Sequence, residues 1–267
     1  MDAITLDGIL AELRSRLVGR HLSRPRLVGR SAVSFETSAH REWRLWIDAG
    51  RGTAGIYWLH RETARPLAED ETTGRSRQAR LHLRKHVDGA RLTALGRVSG
   101  ERSVTIDTSG GVLVLRLSGP APALTLARDG EALGTLGDGP EAWPPPPAAP
   151  EREWDRVEPA AVESAVAEAR SRGRSLRRSV MAACPGLGPV LAAGLDGTAR
   201  SFAAVVSRLR DPRPTVVVPS PPDSWHDADL VHPDAVLLAP LALEREGATV
   251  IHPGSWCAAS ALFLEAR

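Results

Sequence analysis

Lysine is nearly absent from this chain: of 34 basic residues only Lys85 is a lysine, and the rest are arginine. So chain-wide a bias reflects genomic base composition rather than the better phosphate geometry of arginine, so it names no partner by itself. Cysteine is almost as scarce. Cys184 and Cys257 are too few for a four-ligand zinc site and are expected as reduced, packed thiols rather than a disulfide. There is no basic, then apolar, leader: Asp2 and Asp7 stand in a stretch that turns amphipathic at once, so the protein is expected in the cytoplasm. No run of residues is long and apolar enough to span a membrane. Neither a phosphate loop, a dinucleotide fingerprint, a nucleophile elbow nor an H-E-x-x-H spacing occurs.

What is present is a folded chain of 267 residues, long enough for two or three subdomains. Its net charge of +2 is too small to identify a polyanionic partner, so the distribution of charge matters more. Leu6, Ile9, Leu10, Leu13 and Leu17 recur at helical spacing and predict a helix over 5–18, closed by Gly19. Ser31–Phe35, Arg44–Asp48 and Gly55–Leu59 alternate as strands, and Arg61–Gly74 reads as a polar loop. Ser76–Val87 has a helical pattern, and from Leu92 the chain becomes a β-meander with turns at Ser109-Gly110-Gly111 and Asp129-Gly130.

Trp143-Pro144-Pro145-Pro146-Pro147 donates no sheet hydrogen bonds and reads as a stiff connector. Beyond it the period changes to 3.6, starting at Pro159 with Val162, Val166 and Ala169 along one face and stopping at Gly173. Helices flank a Pro185–Pro189 hairpin, another helix carries Phe202, Val205, Val206 and Leu209, and the last segment is mixed. The expected organisation is a β-rich domain over 1–140, a Pro-rich linker over 141–157, a helix-hairpin-helix domain over 158–211 and a mixed segment over 212–267. The fold class is α+β.

Three groups of residues invite a functional reading. Cys184–Ala192 has the G-h-G pattern of a helix-hairpin-helix element, in which Gly186 and Gly188 permit a tight turn and the helix opening at Pro189 would offer backbone N–H groups to a phosphate. A packing turn is the competing interpretation. Arg75, Arg77, Arg80, Arg84, Lys85 and Arg91, with His82 and His86 among them, form a basic run that serves either as a solvated helix face or as a nucleic-acid contact. Asp223, His226, Asp227, Asp229, His232 and Asp234 cluster near Ser224 in a Pro-bounded segment that reads as a surface loop, so neither metal nor cofactor is expected.

Four stretches together resemble the N-terminal domain of the NFACT family of ribosome quality-control factors, also called fibronectin-binding protein A-like. They are Leu6-Asp7-Gly8, Leu83-Arg84-Lys85-His86-Val87-Asp88-Gly89-Ala90, Trp143-Pro144-Pro145-Pro146 and the Cys184–Ala192 hairpin. The resemblance implies a β-rich fold similar to the N-terminal domain of formamidopyrimidine-type DNA glycosylases, then a helix-hairpin-helix unit, in a non-catalytic module that binds tRNA and the large ribosomal subunit. It implies nucleic-acid contacts at Arg84, Lys85, His86, Gly186 and Gly188, and at Gly100-Glu101-Arg102 in place of the family's G-x-D-R element. Glu101 and Arg102 are expected near the start of a strand, with Arg102 meeting tRNA and Glu101 orienting a neighbouring arginine, for which Arg84 is a candidate. A polar family segment is replaced by Arg116–Ala123, and the family's coiled coil would begin near Arg267. Glycosylase activity is not implied, since Asp2 stands where those enzymes have a catalytic proline. A DNA-binding protein is the alternative, because such hairpins grip backbones without reading sequence.

Overall fold

The structure is a computed structural model, described here for residues 2–38, 40–64, 74–118, 121–150, 156–184, 187–219, 237–241 and 248–266. The chain divides into two compact units, Leu6–Ala149 in one and Met1–Thr5 with Pro150–Arg267 in the other. Among the described residues there are eight helices and three antiparallel sheets, an α+β fold.

Helix α1 (Ala3–Leu17) opens with Asp2 as its cap: one carboxylate oxygen accepts from the Thr5 N–H and the other from the Thr5 hydroxyl, both at 2.9 Å. Leu6, Ile9, Leu10, Leu13 and Leu17 are fully buried, the stripe that their spacing predicts. Gly19, at φ +86°, ends the helix. A four-stranded meander follows, β1 (Leu22–Val28), β2 (Ala32–Thr37), β3 (His40–Asp48) and β4 (Gly55–His60), in that order across the sheet. The last three match the expected extended runs; β1 was hidden from pattern reading by Arg24-Pro25. Register slips between Ser23 and Arg26, and Arg24 takes φ +49°. A proline is tolerated there because β1 is an edge strand with a bulge.

A short turn, α2 (Arg61–Ala64), precedes α3 (Gly74–His86), and then come β5 (Leu92–Arg97), β6 (Ser103–Thr108), β7 (Gly111–Arg116), β8 (Ala123–Arg128) and β9 (Glu131–Leu136) as a five-stranded meander. Asp129 (φ +52°) and Gly130 (φ +86°) form the two-residue turn between β8 and β9, with the positive φ values such hairpins require. Sheet and helix meet closely. A Cβ at Gly134 of β9 would lie 3.3 Å from the Ala79 Cα of α3, and one at Gly110 would lie 1.6 Å from the His86 carbonyl oxygen. The Pro-rich segment stays with this unit. The Ala142 N–H donates to Thr125 Oγ1 at 2.8 Å, the Trp143 indole to the Gly130 carbonyl at 3.0 Å, and the Ala149 N–H to the Ser99 carbonyl at 2.9 Å.

The other unit contains α4 (Pro159–Ser171), α5 (Leu176–Ala183), α6 (Pro189–Ala193) and α7 (Ala199–Leu209) around Val162, Val166, Val180, Leu191, Phe202 and Leu209, with Ile4 packed against them. Ser175 and Thr198 cap α5 and α7 with their hydroxyls. A three-stranded sheet of β10 (Thr215–Pro219), β11 (Leu237–Ala239) and β12 (Ala248–Ile251), with β10 central, is contacted by α8 (Trp256–Glu265). Cys184 and Cys257 are buried and neither is in a disulfide, as their number suggests.

Because backbone cannot yield as a flexible side chain can, Gly110→Ala should cost about 2–4 kcal/mol in chemical denaturation. Gly254→Ala, where an added Cβ meets nothing within 4 Å, is the control and should change stability by less than about 0.5 kcal/mol. Equal effects of the two would mean that α3 does not rest on the β6–β7 turn.

Candidate nucleic-acid interface

The face of α3 that remains outside is basic. Ala79 and Leu83 are buried, with Val87 after the helix continuing the same side, whereas Arg77, Arg80, Leu81, Arg84 and Lys85 are exposed. Their spacing of three, one, three and one places them on one stripe, about 12 Å long at 1.5 Å per residue. Arg80 and Arg84 stand one turn apart with like charge, an arrangement that costs an isolated helix a few tenths of a kcal/mol. Arg84 and Lys85 in the last turn also complement the helix dipole, which offsets part of that cost.

The segment Leu83–Ala90 can be accounted for residue by residue. Leu83 and Val87 are core. The His86 carbonyl fills the space above Gly110, and its ring accepts from the Arg128 guanidinium at 2.8 Å and stacks on His82 at 6.0 Å. The Asp88 carboxylate accepts from the Arg24 N–H at 2.8 Å in the β1 bulge. Gly89, at φ +77°, donates its N–H to the Leu22 carbonyl, and the Ala90 carbonyl accepts from the Leu22 N–H. Only Arg84 and Lys85 have no packing or hydrogen-bonding duty among the described residues.

Glu101 and Arg102 fall in the turn between β5 and β6, immediately before β6 starts at Ser103. Gly100 takes φ +71° there and the Glu101 N–H closes on the Val98 carbonyl, so strand alternation does not govern where these two side chains point. The turn is fastened from β5. Arg97 donates to the Glu101 carbonyl at 3.0 Å and holds Asp7 of α1 through two bonds of 2.8 Å, so the Leu6-Asp7-Gly8 and Gly100-Glu101-Arg102 stretches meet through one arginine. Sequence reasoning missed both Arg97 and Arg128, because nothing local marks an arginine whose partner lies 42 or 90 residues away. The expected Glu101–Arg84 partnership does not form. Arg84 lies near the Gly110 end of the sheet and Glu101 at the opposite end of β6, about 20 Å away along a six-residue strand.

In the hairpin, Gly186 lies outside the described residues. Gly188 precedes α6, which is only five residues long, and a Cβ there would come 3.0 Å from the Asp2 Cβ. Asp2 thus crowds the residue that a phosphate would have to approach. The Asp223–Asp234 cluster also lies outside the described residues. Among the described residues no group of three or more His, Cys, Asp or Glu could hold a metal, and no helix is long and apolar enough to cross a membrane.

No protein-family model matches the sequence, and comparison with curated proteins finds no match. Solved structures do match. The fibrinogen-binding protein from Staphylococcus aureus superposes with a TM-score of 0.65 at 12% identity over 98% of each chain. The N-terminal part of the fibronectin/fibrinogen-binding protein from Streptococcus suis gives 0.57 at 15% identity over all of both chains. The N-terminal domain of fibronectin-binding protein PavA from Streptococcus pneumoniae gives 0.50 at 17% identity, over 80% of this chain and 90% of that one. This chain shares their fold. The expected likeness to fibronectin-binding protein A-like proteins is thus present in three dimensions, and at such identities it carries architecture rather than ligand.

Burial, followed by the charges of Arg128, Lys85 and His82, holds the His86 imidazole below its ordinary value. Arginine can only donate, so the ring nitrogen facing Arg128 is unprotonated. The folded state therefore favours neutral His86, and its contribution to stability is present above about pH 6.5 and lost as the pH falls through the folded value. In an NMR titration Arg128→Ala should move the His86 midpoint upward; an unmoved midpoint would exclude the Arg128 contact in solution.

Proposed function

We propose that the chain is a non-catalytic RNA-binding module that holds tRNA against the exposed stripe of α3 and, like the NFACT domains it resembles in sequence, acts at the large ribosomal subunit. The observation that carries this reading is the division of labour within Leu83–Ala90: six residues build the fold, and Arg84 and Lys85 face solvent beside Arg77, Arg80 and the exposed Leu81. Guanidinium groups in a row suit a phosphate backbone, which they neutralise while displacing counterions. Leu81, 60% exposed within this stripe, offers an apolar contact that a base or sugar can cover.

The finer structural expectations belong to the same proposal. We read Leu6–Ala149 as similar to the N-terminal domain of formamidopyrimidine-type glycosylases and α5 with α6 as a helix-hairpin-helix unit, on the sequence resemblance. Absence of glycosylase chemistry is supported by Asp2, which is 4% exposed and engaged in capping α1. The hairpin is not the preferred phosphate contact, because Asp2 packs against Gly188. Arg102 is a second contact, on its own turn and without help from Glu101. The fibronectin and fibrinogen named for the three similar structures are ligands of those proteins.

Replacing Arg84 and Lys85 together by Ala should weaken tRNA binding about tenfold or more and lower the slope of log affinity against log salt by about 1.5, as the loss of two phosphate contacts implies. Arg102→Ala should weaken it separately. Fluorescence anisotropy with labelled tRNA at two salt concentrations, with duplex DNA as competitor, measures both. Unchanged affinity in the double variant would overturn the α3 interface, and equal competition by duplex DNA would favour a general nucleic-acid-binding protein.

A further inference from the structure

The unit that contains α4–α8 has a cleft of about 700 Å3 between the end of α7, the start of β10 and the turn after β12. Its chemistry differs from that of α3, because cationic side chains stand on walls made by proline. Arg208, Arg213 and His252 line it, and Asp211 is the one acid among the lining residues. Pro214, Pro240 and Pro253 have no N–H, so hydrogen-bond donation into the cleft comes chiefly from side chains.

Arg213 and His252 make contacts within the cleft. The Arg213 N–H donates to the Pro240 carbonyl at 2.8 Å and its guanidinium stands 3.3 Å from the Asp211 carboxylate. His252 Nδ1 lies 3.3 Å from the hydroxyl of Thr215, a fully buried residue, and that hydroxyl also lies 3.3 Å from the Arg213 carbonyl. A hydroxyl has one proton. Whichever of the two accepts it, Nδ1 is engaged by Thr215 and Nε2, on the far side of the imidazole, is left for a ligand. Complete burial also excludes Thr215 as a nucleophile, so the pair is an orienting device and not a catalytic dyad.

We propose that this cleft binds an organic phosphate monoester. The guanidinium forks of Arg208 and Arg213 match phosphate oxygens, and His252 Nε2 is a third polar group that can pair with the phosphate, as acceptor or donor according to the tautomer. A volume of about 700 Å3 is that of a small-molecule site and far exceeds a phosphate group, so the ligand carries a body. The apolar proline walls suit a ring or sugar, as in a nucleoside monophosphate. This site is independent of the α3 stripe and goes beyond the RNA reading.

The test is calorimetric titration of the full chain with adenosine 5′-monophosphate, adenosine and inorganic phosphate. The monophosphate should bind with a Kd below about 1 mM, and the other two at least about tenfold more weakly. Arg213→Gln and Arg208→Gln should each weaken monophosphate binding about tenfold, whereas the Arg84→Ala, Lys85→Ala variant should bind it like the parent. No saturable monophosphate binding, equal binding of inorganic phosphate, or loss of binding in the α3 variant would each overturn the proposal. None of these outcomes decides whether tRNA binds α3, and unchanged monophosphate binding in a chain that does not hold tRNA would remove the RNA reading alone.

Discussion

Much of the Leu6–Ala149 unit depends on one close approach, in which the His86 carbonyl occupies the space that a side chain at residue 110 would need. That contact sets the end of α3 on the β6–β7 turn. From there the chain runs through Asp88, Gly89 and Ala90 to β1, and the pairs between Gly19–Leu22 and Gly89–Leu92 link the edge of the four-stranded sheet to the edge of the five-stranded one. The two meanders are thereby joined within one unit. Buried backbone groups at both edges find partners at this crossing, which matters because an edge strand otherwise leaves a row of them unpaired.

Arg97 has an equivalent role at the other end of the meander. It is 8% exposed in its side chain and bonded to both Asp7 oxygens, so it makes a bidentate pair rather than an ordinary surface contact. The same guanidinium reaches the Glu101 carbonyl, so α1 and the β5–β6 turn are positioned by a single group. Asp7 therefore has a structural reason to stand in a short Asp-Gly element, with no ligand needed to explain it.

The features legible in the sequence were those with a local cause. The period of the leucines and isoleucine in α1, the Asp129-Gly130 hairpin, Pro159 at the start of α4 and the helical pattern of α3 each follow from residues a few positions apart. What escaped was non-local. The strand β1 is broken as a pattern by Pro25, yet it pairs with β2 on both sides of the bulge, where Asp88 accepts from the Arg24 N–H. The Pro-rich segment reads as a connector by composition, yet Thr125, Gly130 and Ser99 give its neighbours hydrogen bonds on the sheet. Within the candidate interface, the basic run was visible; which of its members the fold already uses was not, and that division separates His86 from Arg84 and Lys85.

The geometry also constrains any ligand that touches both proposed contacts. Arg84 and Lys85 belong to the Gly110 end of β6 and Arg102 to its beginning, so about 20 Å of strand lies between them and no single phosphate reaches both. At roughly 3.4 Å of axis per nucleotide in one strand, the separation corresponds to about six nucleotides, a length that a folded RNA supplies and a mononucleotide does not. Substitutions at positions so far apart in the protein have nearly additive effects. A ligand gripping both would be aligned along the sheet as well as attracted to it, since two separated anchors fix a direction that one cannot.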